Sequence, residues 1–97
     1  MTYWTVVVSL LLLAHSALAQ SPDGSVTKAF GDCLLREGQS GSYVSTDGGH
    51  SALLLVGQCR AQWEVWVNEC VANGGTDSDC TVKSMILSQG ALKILGK

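Results

Sequence analysis

Charge is scarce in this chain. Asp, Glu, Lys and Arg together make up 14% of the 97 residues, six basic against eight acidic, and the basic residues nowhere cluster. Nucleic acid is held by a basic patch or stripe, so that class of partner is excluded first. Long hydrophobic runs are missing too. The longest, Thr5 to Ala14, is about half the roughly 20 residues that a membrane-crossing helix needs, and the next, Leu53 to Val56, is far shorter. Histidine is nearly absent, with only His50 after the first twenty residues. Without a C-x-x-C pair or further ligands, a zinc site, a thiol-exchange motif and haem attachment all lack their residues. No G-x-S-x-G or comparable frame sets a nucleophile beside a base. Asp77 and Asp79 begin like a calcium loop, but Cys80 and Thr81 break its spacing, and helix capping accounts for both acids. The expectation is a protein with no metal, no cofactor and no catalysis.

What is present begins with an address. The apolar run Thr5 to Ala14 is followed by Ala17, Leu18 and Ala19, the small-x-small pattern of a signal peptidase site, which places cleavage before Gln20. Residues 1–19 therefore read as a signal peptide and residues 20–97 as one exported domain, secreted or periplasmic. Met1 to Trp4 holds no Lys or Arg, so the positive end is the amino terminus alone, and an uncleaved anchor is the alternative.

Export gives the four cysteines their meaning, because an oxidising compartment lets paired thiols persist as disulfides. Cys33, Cys59, Cys70 and Cys80 allow three connectivities. On one continuous helix Cys59 and Cys70 stand about 16 Å apart, beyond the roughly 4.4–6.8 Å between Cα atoms that a disulfide spans. Antiparallel neighbours pair positions symmetric about their loop. The midpoint of 33 and 59 falls at Thr46 and that of 70 and 80 at Gly75, both in Gly/Ser-rich breaks, which selects Cys33 with Cys59 and Cys70 with Cys80. The crossed set, Cys33 with Cys70 and Cys59 with Cys80, remains open if the first helix docks further along.

Between the breaks lie three segments of helical period. In the first, Val26, Ala29, Phe30, Cys33 and Leu34 share a face, Asp23 or Ser25 can cap the start, and Gly38 can end it. The second, about Ser51 to Ala72, carries Ala52, Val56, Cys59, Trp63, Trp66 and Cys70 at alternating steps of four and three. A second strip, Leu54, Ala61, Val65 and Ala72, predicts a central helix touching a neighbour on each side. The third runs from an N-cap at Asp77 or Ser78 to about Leu95, with Cys80, Leu87, Ala91, Ile94 and Leu95 facing inward. Gly41 to Thr46 has some strand character but nothing to pair with. The fold class is all-α: a small antiparallel three-helix bundle with a long central helix, stapled by two disulfides.

Candidate binding residues are Tyr43 and His50, in the polar loop with Ser42, Ser45 and Asp47, and Trp63 and Trp66 on the seam between two cysteines. Exposed Trp anchors binding surfaces, whereas buried Trp fills the interior of a small domain. In outline the chain resembles, loosely, small exported all-helical proteins of Gram-negative bacteria with paired cysteines, including acid-stress chaperones and immunity proteins of the periplasm. That likeness implies an architecture and transfers no residue role. The functional expectation is a module that binds another protein, of inhibitor, immunity or interaction type. The alternative is a carrier holding a small apolar ligand against Trp63 and Trp66.

Overall fold

Each stretch of helical period becomes helix in the computed structural model, which describes residues 23–97. The expected signal peptide and its cleavage site before Gln20 lie outside the described residues. Helix α1 spans Asp23–Ser40, α2 His50–Gln58, α3 Arg60–Ala72 and α4 Asp77–Ile94. The described residues form no strand, and among them no helix is long and apolar enough to cross a membrane.

Both disulfides follow the symmetric pairing, Cys33–Cys59 and Cys70–Cys80, each with Cα atoms 5.9 Å apart. They tie α1 to the α2–α3 junction and the end of α3 to the start of α4. Chain-entropy estimates give roughly 3.5 kcal/mol for the longer loop and roughly 2.8 for the shorter.

The expected long central helix is interrupted. Cys59 has φ −106° and ψ 31°, outside the helical range. Its N–H is shared between the carbonyls of Leu55 (3.2 Å) and Val56 (3.0 Å), a local tightening of the i→i−4 ladder. Trp63 N–H still reaches the Cys59 carbonyl at 2.8 Å, so one residue separates α2 from α3. The apolar seam keeps its phase across this break, because Cys59 is itself fully buried and bonded to α1. Four described helices therefore stand where three were expected.

The second strip of that segment remains on the surface. Leu54 on α2 and Ala61, Val65 and Ala72 on α3 are all exposed, and among the described residues this strip has no helix packed over it as the cysteine seam has. In α1 the expected face holds in part: Phe30, Cys33 and Leu34 are buried, whereas Val26 is half-buried and Ala29 exposed. Gly38 does not end that helix. It is buried mid-turn, where an added Cβ would stand 3.0 Å from Leu95 Cδ1 and 3.3 Å from Leu55 Cδ2, so its missing side chain permits close approach.

The N-cap of α4 is Thr76, not Asp77 or Ser78: the Thr76 hydroxyl accepts the Asp79 N–H at 3.1 Å. Asp77 and Asp79 occupy the first turn and Lys93 the last, matching the helix dipole. Its inward face departs from expectation. Cys80, Ala91 and Leu92 are buried, but Leu87 and Ile94 are exposed, and Ser84 and Ser88 take the interior. Both hydroxyls are satisfied there. Ser84 Oγ donates to the Thr81 carbonyl (2.6 Å) and Ser88 Oγ to the Ala52 carbonyl (2.8 Å), letting small side chains bring α4 close to α2 and α3. Polar contacts pin the loop 41–49. Val44 N–H donates to Ser51 Oγ, Ser45 N–H to the Lys97 carbonyl, and Gln89 Nε2 to the Ser45 carbonyl.

Candidate functional site

Asp47 organises the start of α2. Gly48 (φ 71°) and Gly49 (φ 91°) turn the chain through the left-handed region, so that the Asp47 carboxylate folds over the first turn. It accepts the Ser51 hydroxyl at 2.6 Å and the Ser51 N–H at 3.0 Å. The Ser51 hydroxyl, then its N–H, hold the Asp47 pKa below the ordinary 3.8, with the nearby His50 a smaller contribution. Asp47 is thereby committed to closing a helix end. His50, the first residue of α2, is exposed. Tyr43 is half-buried and packs on the core cluster. The loop presents His50 to solvent and turns the Tyr43 ring towards the interior.

The two tryptophans divide their roles. Trp63 packs on the core, and its Nε1–H donates to Ser84 Oγ at 2.9 Å, joining α3 to α4. Trp66 Nε1–H donates to Thr27 Oγ1 at 3.2 Å, joining α3 to α1, and its ring lies 5.8 Å from that of Phe30. Both indoles cement helix contacts. Trp66 in addition walls a cleft of about 400 Å³ beside the Cys70–Cys80 disulfide. The other walls are Val26 and Thr27 from α1, Glu69 and Cys70 from α3, Asn73 and Gly75 just after it, and Lys83 from α4. Trp66, Glu69, Cys70 and Asn73 fall at i, i+3, i+4 and i+7, so one helix face turns from apolar to polar as it passes the disulfide.

A larger feature lies on α4, on Ile94, whose spacing predicts an inward position, and on Val82 and Ile86, which lie off that face. Val82, Ile86 and Ile94 are exposed at 55%, 64% and 78%. Val82 and Ile86 stand one turn apart on the outside of the helix, and Ile94 follows two turns on in the same i+4 row, past Gly90, so that the row forms a ridge with a gap at the glycine. On one flank, between α4 and the start of α2, lies a groove of about 620 Å³ lined by Leu53, Met85 and Ile86 among others. Gln89 also lines it, and its Oε1 is buried with no hydrogen-bond partner among the described residues. On the other flank, between α4 and α1, a groove of about 240 Å³ is lined by Leu35, Leu87 and Ile94. Ile86 borders both. The available signal was that α4 carries apolar residues on more arcs than one neighbour can cover. Among the described residues no group of three or more His, Cys, Asp or Glu converges to hold a metal ion. Comparison with protein-family models, curated proteins and solved structures finds no match to this chain.

Proposed function

We propose that this chain is an exported, non-catalytic module that binds another protein, and that the α4 ridge is its docking surface. The carrying observation is the ridge itself: three branched apolar side chains more than half exposed, between two apolar grooves. Grouped exposure of this kind leaves apolar surface in water that a partner would bury, unlike apolar residues scattered singly. The two disulfides support an oxidising location and a rigid scaffold. His50 stands at the start of α2, next to the Gly49 wall of the larger groove, and serves as a rim contact.

The test places a photoreactive p-benzoyl-phenylalanine at Ile86, with Lys28 as an exposed control on α1. Irradiation in the protein's own host should yield a discrete adduct at position 86 and none at 28. Ile86→Asp should weaken the purified complex at least tenfold, about 1.4 kcal/mol. An adduct of twice the mass would identify a second copy as the partner; equal yields at both positions would remove the ridge from the account.

A second reading, a small-molecule carrier, draws support from the Trp66 cleft. Trp63 contributes no wall to it, so ligand-dependent changes in Trp emission should vanish in Trp66→Phe and persist in Trp63→Phe.

A further inference from the structure

We infer that the Trp66 cleft is a binding site for a small zwitterion with one flat apolar group, the chemical class of the aromatic α-amino acids. The inference rests on the carrier reading and changes its ligand from apolar to zwitterionic. Three observations carry it. First, the cleft, of about 400 Å³, falls within the range of roughly 300–1,000 Å³ typical of small-molecule sites. Second, its walls hold opposite charges on different helices, Glu69 on α3 and Lys83 on α4. The Cys70–Cys80 bond fixes their relation, since Glu69 precedes Cys70 by one residue and Lys83 follows Cys80 by three. Neither charge enters an ion pair among the described residues, whereas Lys28–Asp32, Arg36–Glu37 and Arg60–Glu64 do. Third, Trp66 walls the same cleft, its indole N–H donating to Thr27 Oγ1 and its ring lying 5.8 Å from that of Phe30, so its orientation is set before any ligand arrives.

Each wall then has a complementary part of the ligand. The Glu69 carboxylate takes an ammonium, the Lys83 ammonium takes a carboxylate, and the indole takes an aromatic ring by offset stacking. The Asn73 amide can donate to the carboxylate or accept from the ammonium. A purely apolar ligand would leave both charged groups without a partner. A simple ion would leave the indole unused.

Isothermal titration of the mature protein with L-phenylalanine tests this, beside 2-phenylethylamine, 3-phenylpropanoate and toluene. One-to-one binding of L-phenylalanine is expected, with 2-phenylethylamine and 3-phenylpropanoate each weaker by roughly tenfold or more. Lys83→Met should erase the preference over 2-phenylethylamine, and Glu69→Gln the preference over 3-phenylpropanoate. The exchanged pair Glu69→Lys with Lys83→Glu should bind D-phenylalanine, whose ammonium and carboxylate are exchanged relative to its ring, in preference to 2-phenylethylamine and 3-phenylpropanoate, which a merely unfolded variant could not do. If toluene binds as well as L-phenylalanine, the zwitterion assignment fails and the apolar carrier stands. If no probe binds at millimolar concentration, both fail.

Discussion

Ser84 and Gly75 show how much rests on small side chains. Ser84→Ala would leave the Trp63 Nε1–H without its acceptor in a half-buried contact, at a cost of about 1–3 kcal/mol. The urea midpoint should fall with the m-value unchanged. Combining it with Trp63→Phe should cost less than the two singles summed, since the second change removes the stranded donor. Gly75 sits against the second disulfide: an added Cβ would stand 2.5 Å from Cys80 Sγ and 3.0 Å from the Cys70 carbonyl. Gly75→Ala should lower the melting temperature through overpacking, on the order of 1–3 kcal/mol. Asp47 links residue chemistry to pH. Its folded pKa is depressed, so its contribution is present above the ordinary carboxylate value of 3.8 and is lost as pH falls through the lower folded value. Asp47→Asn should flatten acid unfolding in that window; an unchanged acid limb would mean its bonds to Ser51 contribute nothing.

At the scale of elements, helix ends are set by contacts that local period does not reveal. Thr76→Ala should cost α4 about 1 kcal/mol, because the Asp79 N–H loses its acceptor. The far end of α1 is closed from a distance. Lys97 Nζ donates to the carbonyls of Gly38 (2.7 Å), Gln39 (3.2 Å) and Gly41 (2.6 Å), a cation placed where a helix C-terminus favours one. Lys97→Met should speed amide exchange at the end of α1 and through the 41–46 loop while leaving α3 unchanged. The division between α2 and α3 belongs to this scale as well. The apolar spacing continues across Cys59, so only its dihedral angles and shared hydrogen bond mark the break.

For the whole molecule the disulfides and the core act together. The buried apolar cluster draws on α1, α2 and α4, with Trp63 and Trp66 of α3 packed against it, and centres on Phe30, Leu34, Leu55 and Leu92, around the Cys33–Cys59 bond. A domain this small has a marginal core, so reduction should unfold it or lower its stability by several kcal/mol. Replacing Cys33 and Cys59 together by Ala should cost more than replacing Cys70 and Cys80, because the first pair closes the longer loop and is fully packed. Equal losses, read by thermal melting, would show that loop length does not govern the effect.

The all-helical class and the disulfide pairing were legible in the sequence for one reason: period and symmetry about a loop are one-dimensional properties. Cys33 and Cys59 lie symmetrically about Thr46, and Cys70 and Cys80 about Gly75, and antiparallel neighbours need little more. The face that α4 turns inward was not legible. Leu87 and Ile94 are more apolar than Ser84 and Ser88, yet the serines are buried because Trp63, Ala52 and Thr81 satisfy their hydroxyls. Those partners lie on other helices or depend on α4's own turn, and spacing along one segment does not report them. The same holds for the candidate surfaces. Trp66 stood out in the sequence, but its separation from Trp63, and the placing of Glu69 and Lys83 on the walls of the same cleft, follow from how α1, α3 and α4 converge near the second disulfide. The Val82–Ile86–Ile94 ridge is exposed because the neighbours of α4 cover only part of its apolar circumference. Local sequence determined which segments coil and which cysteines meet; tertiary packing alone decided which apolar arcs are buried, since burial is a relation between helices.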